Sequence, residues 1–165
     1  MNIKSLFVAI GITVLVASAA WASNYSALQS MDTQVAKAAN TPYPIVMTGE
    51  SIKGFKIDGA RMIALRDGDY YFNAAAQVGA TGTQGGDVYL WVRLNGKDMV
   101  DSNSVQSVPT PAFTAVLVSQ GGLTLKKGDV LEFVYAATAP GLGLVATKPA
   151  NMPGVPSIIF SMFEL

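Results

Sequence analysis

The chain has 165 residues, no histidine, no cysteine, and eleven basic side chains against eleven acidic ones. That inventory excludes a Ser-His-Asp arrangement, a thiol nucleophile, a zinc-thiolate centre and disulfide staples. With no basic block, it also argues against a nucleic-acid partner. Charged residues are 13% of the chain, about half the usual share, which points to surface hidden in an oligomer.

The N-terminus, "MNIKSLFVAIGITVLVASAAWAS", carries Lys4, an apolar run from Leu6, and Ala20-Trp21-Ala22. A basic start, an apolar centre and an A-x-A site form a secretory signal peptide over residues 1–22. The run is short for a membrane span, which needs about 20 apolar residues. Cleavage after Ala22 is therefore expected, giving a secreted, periplasmic or cell-surface protein without a stable membrane span. Next, "NYSALQSMDTQVAKAAN" spaces Tyr25, Leu28, Met31, Val35 and Ala38 by three and four. This predicts a short helix over Asn24–Asn40 within a leader of residues 23–42. A helix this short docks on something, bundles with copies of itself, or gives way to a mobile leader.

From residue 43 the pattern turns to short segments of period two punctuated by glycine and proline. "PIVMTGESIKGFKIDGARMIAL" reads as two or three strands with turns near Gly49, Gly54 and Gly59. "DYYFNAAAQV" places Tyr70, Phe72, Ala74, Ala76 and Val78 on one face. "GATGTQGGD" lacks the lysine and helix of a phosphate-binding loop and reads as a flexible hairpin loop. "VYLWVRLNG" sets Val88, Leu90, Val92 and Leu94 against Tyr89, Trp91 and Arg93, and ends in a strong Asn95-Gly96 turn. "FTAVLVSQGGLTL" and "VLEFVYAATA" are strands on either side of Lys127-Gly128. Residues 140–156 are rich in proline and glycine, either loop or a poorly patterned edge strand. "SIIFSMFEL" is the closing strand. The whole predicts one all-β sandwich or barrel domain over residues 43–165.

Three Gly-Asp pairs, Gly68-Asp69, Gly86-Asp87 and Gly128-Asp129, each stand before a strand pattern. Glycine tolerates positive φ and aspartate bonds nearby backbone N–H groups, so the pairs read as turn chemistry rather than a reactive set. Asp67 and Asp69 flank Gly68 and are the candidate ligands for calcium, which takes hard oxygen donors. No other cofactor is expected. Nothing marks any two acids as glycosidase partners.

"GDYYF", with Tyr70 and Phe72, resembles the G-x-Y-x-F strand of the complement C1q globular head and its tumour-necrosis-factor-like relatives. "VYLWVRLNGKDMVDS" is similar to that family's strand ending in Asn-Gly, an apolar residue and a serine, here Asn95, Gly96, Val100 and Ser102. "LTLKKGDVLEF" resembles its L-x-x-GD-x-V-x-L segment through Leu125, Gly128, Asp129, Leu131 and Phe133. "SIIFSMFEL" resembles its closing strand, with Ser161 where a glycine is usual. The resemblance covers about Ile45 to Leu165 and implies a ten-stranded jelly roll that trimerises through apolar faces. It implies binding rather than catalysis, and calcium in some members. No Gly-X-Y repeat is present.

The strands "IIFSMF" and "DVLEFVYAA" carry apolar residues on both faces, more than one sandwich interior holds. Ile158, Phe160, Met162, Phe133 and Tyr135 are accordingly the candidate subunit contacts of a homotrimer. Tyr89, Trp91 and Arg93 share the face away from the core and are candidate ligand-binding residues, or else further subunit contacts. Leu142, Leu144 and Met152 are a second candidate group, on a loop. The expected function is an exported, non-enzymatic binding module for a protein or carbohydrate. The alternative is a structural subunit of a surface fibre or matrix, assembled by strand addition.

Overall fold

The computed structural model describes residues 25–165, so the signal peptide expected over residues 1–22 lies outside the described residues. In chain order the strands are β1 (Tyr25–Ser30), β2 (Gln34–Val35), β3 (Tyr43–Pro44), β4 (Thr48–Ser51), β5 (Phe55–Asp58), β6 (Arg61–Ala64) and β7 (Gly68–Ala80). They continue as β8 (Gly86–Leu94), β9 (Lys97–Asp98), β10 (Ser104–Val108), β11 (Ala115–Leu125), β12 (Val130–Ala137), β13 (Leu142–Leu144) and β14 (Ile158–Glu164). Ten of these span four residues or more, and the described residues include no helix. All pairings are antiparallel and fall into two sheets. Sheet I runs β2-β13-β7-β14-β1-β4, with β11 on the free side of β7. Sheet II runs β10-β8-β12-β6-β5, with β3 against β12 and β9 against β8.

The core forms because alternate residues of both sheets point at one another. Tyr70, Phe72, Ala74, Ala76 and Val78 of β7 are buried as their spacing predicts, facing Val88, Leu90 and Val92 of β8. Phe133 lies at the centre, with ring centroids 5.4 Å from Phe72 and 4.8 Å from Phe160. The Asn95-Gly96 turn joins β8 to β9 with φ of 51° and 77°, as the dipeptide predicts.

Several expectations are corrected. The stretch read as a helix is extended from Tyr25, with β1 paired between β14 and β4. Its inward residues are Ser26, Leu28 and Ser30, so two of three buried positions are polar and the period-two apolar signal is missing. The serines are satisfied there: Ser26 Oγ donates to the Lys53 carbonyl (2.9 Å), and Ser30 Oγ accepts from Gln34 Nε2 (3.1 Å). The first strand of the sandwich thus lies within the segment read as a leader. It completes its own subunit's sheet, between β14 and β4. The "GATGTQGGD" connection is a crossover, since β7 belongs to sheet I and β8 to sheet II.

Leu142 and Leu144 are buried in β13, between β2 and β7, rather than displayed on a loop. Gly143 allows the close approach, because a Cβ there would stand 2.8 Å from Val35 Cα. Ile158, Phe160, Met162, Phe133 and Tyr135 lie in the subunit's own core, not at its surface. The alternate residues Ile159, Ser161 and Phe163 face outward instead, as a one-residue shift of register requires.

Candidate functional site

The two outward faces differ in charge. On sheet I the cross-strand partners form three rows: Gln29–Ile159–Ala75–Val118, Ala27–Ser161–Asn73–Gln120, and Tyr25–Phe163–Tyr71–Gly122. None of the twelve is charged. Ile159, Phe163, Tyr71, Val116 and Val118 are exposed there, and the Tyr25 and Phe163 rings lie 5.0 Å apart. On sheet II one row reads Asp58–Arg61–Glu132–Arg93–Asp98, alternating in sign across five strands. The outward charges of sheet I stand at its margins, on Glu50 of β4, which accepts from Gln29 Nε2 (2.6 Å), and on Asp69 beside Thr124, whereas the charged row of sheet II runs across its middle.

Beside the charged row, Tyr89 pairs with Ala136, and Trp91 with Val134. These four form a small apolar cluster outside the main core. Val134 is wholly buried and Trp91 is 9% exposed, while Tyr89 remains half-buried. Trp91 Nε1 and Arg93 Nε both donate to Asp98 Oδ1 at 2.8 Å, so the hairpin that carries Asp98 is locked onto β8. The bonds from Arg93 and then Trp91 hold the Asp98 carboxyl below its ordinary pKa of 3.8. Asp98 Oδ2 has no partner among the described residues. Tyr89, Trp91 and Ala136 of the cluster, with Asp98, Asn40 and Asn103, line a hollow of about 350 Å³.

The structure therefore brings Tyr89, Trp91 and Arg93 to one face, with Tyr89 and Trp91 lining the hollow. Leu142, Leu144 and Met152 do not line it. Sequence reasoning missed Asn40, Asn103 and Asp98. Asn40 stands in the segment read as helix, although Asn40-Thr-Pro carries a turn signal, and the structure gives Asn40 a φ of 55°. Asp98 was legible, because a two-residue Asn95-Gly96 turn sets it opposite Arg93.

Asp67 and Asp69 are occupied by the fold. Asp67 Oδ1 accepts from Lys127 N (2.8 Å), and Asp69 Oδ1 from Thr124 Oγ1 (2.6 Å). Among the described residues no three acidic side chains gather where a metal ion would sit. Of the three Gly-Asp pairs, Gly128-Asp129 makes a tight turn, with Gly128 at φ 93° and Asp129 Oδ2 accepting from Lys126 N at 2.8 Å. Asp69 and Asp87 serve instead as cross-strand acceptors, for Thr124 and Ser107.

No protein-family model and no curated protein matches this chain. Solved structures do. A crystal structure of murine APRIL matches with a TM-score of 0.59 and 13% identity, over 87% of this chain and 99% of that one. The globular domain of zebrafish complement 1qA protein matches with a TM-score of 0.56 and 17% identity, over 87% and 97%. This chain has the C1q/TNF-like jelly-roll fold. At such identities the likeness speaks for the fold alone. In this C1q/TNF-like jelly roll, the three uncharged rows belong to the sheet that holds the first and last described strands, β1 and β14.

Proposed function

We propose that the protein is an exported, non-enzymatic binding module that works as a homotrimer. The outward face of sheet I is the subunit contact, and that of sheet II meets a protein or glycan ligand. The observation that carries this is the lack of charge in the central rows of sheet I, with Glu50 and Asp69 only at its margins, against the charged row that crosses sheet II. Interface cores are depleted of charged residues and enriched in aromatics, and sheet I presents three uncharged rows including Tyr25, Tyr71 and Phe163. Exposed Ile159, Phe163, Tyr71, Val116 and Val118 on an otherwise self-sufficient sandwich are ordinarily covered by a closed cyclic assembly. The trimeric number comes from the C1q/TNF resemblance. Binding rather than catalysis is supported by the lack of any imidazole or thiol in the chain. It is supported too by the fixed structural bonds of Asp67, Asp69, Asp87 and Asp129. Export rests on the signal-peptide pattern of residues 1–22.

Two matched valines test the assignment. Val116 on sheet I is 63% exposed and Val105 on sheet II is 55% exposed. Val116→Asp places three charges in the proposed contact and is expected to dissociate the assembly, while Val105→Asp leaves it intact. Native mass spectrometry reads both. Dissociation by the Val105 change alone reverses the assignment of faces.

A further inference from the structure

We infer that the hollow on sheet II is a binding site for a single neutral sugar ring, most simply a terminal hexopyranose of a glycan. The inference rests on the reading of sheet II as the ligand face and names the chemistry that face recognises. A sugar ring needs an aromatic surface for its C–H edge and a planar acceptor for a pair of hydroxyls. It also needs side-chain amides that both donate and accept. All three are present in one place. Tyr89 is the accessible ring, set beside Trp91 and Ala136. Asp98 is held by Trp91 Nε1 and Arg93 Nε through Oδ1 alone, so Oδ2 is oriented and free to accept a hydroxyl proton. The Asn40 and Asn103 side chains line the same hollow and make no hydrogen bond among the described residues. Such preorganised, unspent polar groups around a small apolar wall are what a ligand site requires.

The charge selects the class of sugar. Arg93 is paired with Asp98, and no lysine lines the hollow, so nothing there would balance a carboxylated or sulfated ring. The size selects the length: about 350 Å³ lies at the low end of small-molecule sites, roughly 300–1,000 Å³. That suits one ring inside with the rest of a glycan outside. A peptide strand would instead look for an open sheet edge, and the hollow lies over β8 and β12, which are paired on both sides.

The test uses the full chain carrying Trp21→Phe, which leaves Trp91 as the sole indole. Methyl glycosides of glucose, galactose, mannose and N-acetylglucosamine are titrated to about 50 mM, a range that captures weak millimolar binding. Sialic acid and a sulfated galactose are the charged arms. At least one neutral glycoside is expected to give a saturable change in Trp91 emission. Asn103→Ala, which removes an exposed amide with no structural bond, is expected to weaken it about tenfold. Ala136→Leu, which adds bulk at the buried wall of the hollow, is expected to abolish it. Three results overturn the inference: no saturable change with any neutral glycoside, preference for the charged arms, or binding indifferent to both variants. Light scattering on the same samples separates the two readings. Trimers that ignore sugars overturn this inference alone, whereas lone subunits that bind sugars overturn the trimer and leave the site standing.

Discussion

Phe160→Ala separates an inward reading of β14 from an outward one. Phe160 is 0% exposed, and its ring centroid lies 4.8 Å from that of Phe133. Truncating a buried phenylalanine costs about 3–5 kcal/mol, as lost transfer energy plus the cavity left behind. For a domain of this size each kcal/mol lowers Tm by about 2–4 °C, so a fall of about 6–20 °C is expected. Melting followed by near-ultraviolet circular dichroism reads it, with variants compared at one protein concentration because association raises the Tm of an oligomer. Phe133→Ala should cost a similar amount, and the double variant less than the sum, since each ring is the other's neighbour. Well below the transition, Phe160→Ala should keep the assembly mass of the parent. A cost under about 1 kcal/mol with a loss of assembly would place Phe160 on the surface and refute the register of the closing strand.

The Tyr70 hydroxyl is buried and meets no partner at full hydrogen-bond geometry among the described residues, the Arg66 side chain offering at best a long, weak bond. Tyr70→Phe should leave stability unchanged or raise it by about 1 kcal/mol, measured by urea titration at constant slope, because an unsatisfied polar group is removed. A loss above about 1 kcal/mol would show that the hydroxyl is bonded. Asp98, whose carboxyl lies below its ordinary 3.8, contributes stability above that value and loses it as pH falls through the depressed folded pKa. In the Trp21→Phe chain, Trp91 emission should hold steady from neutrality to about pH 4 and change only below it, with no such step in Asp98→Asn. A step centred above 3.8 would contradict the two hydrogen bonds accepted by Oδ1.

Legibility followed side-chain chemistry strand by strand. β7 was readable because each of its inward positions from Tyr70 to Val78 is apolar and each neighbour up to Asn73 is polar or aromatic. β1 was not, since serines occupy two of its inward positions and Tyr25 and Ala27 sit outside, so the apolar residues fall at helical spacing by coincidence. β14 was identified as a strand but its faces were exchanged: Ile158-Ile159-Phe160 is apolar three times running, and only pairing with Ala76, Ala75 and Ala74 decides which point inward. The hollow was half legible. Tyr89, Trp91 and Arg93 alternate visibly, whereas Asn40 and Asn103 arrive from segments more than fifty residues apart in the chain and on either side of β8, a juxtaposition that only topology creates.

Sedimentation equilibrium of the unmodified protein over a wide concentration range tests the division of labour between the two faces most directly. Burial of the uncharged rows of sheet I predicts a single species with three times the subunit mass, persisting on dilution. A single-subunit mass at every concentration, with Ile159 and Phe163 left in water, would contradict it.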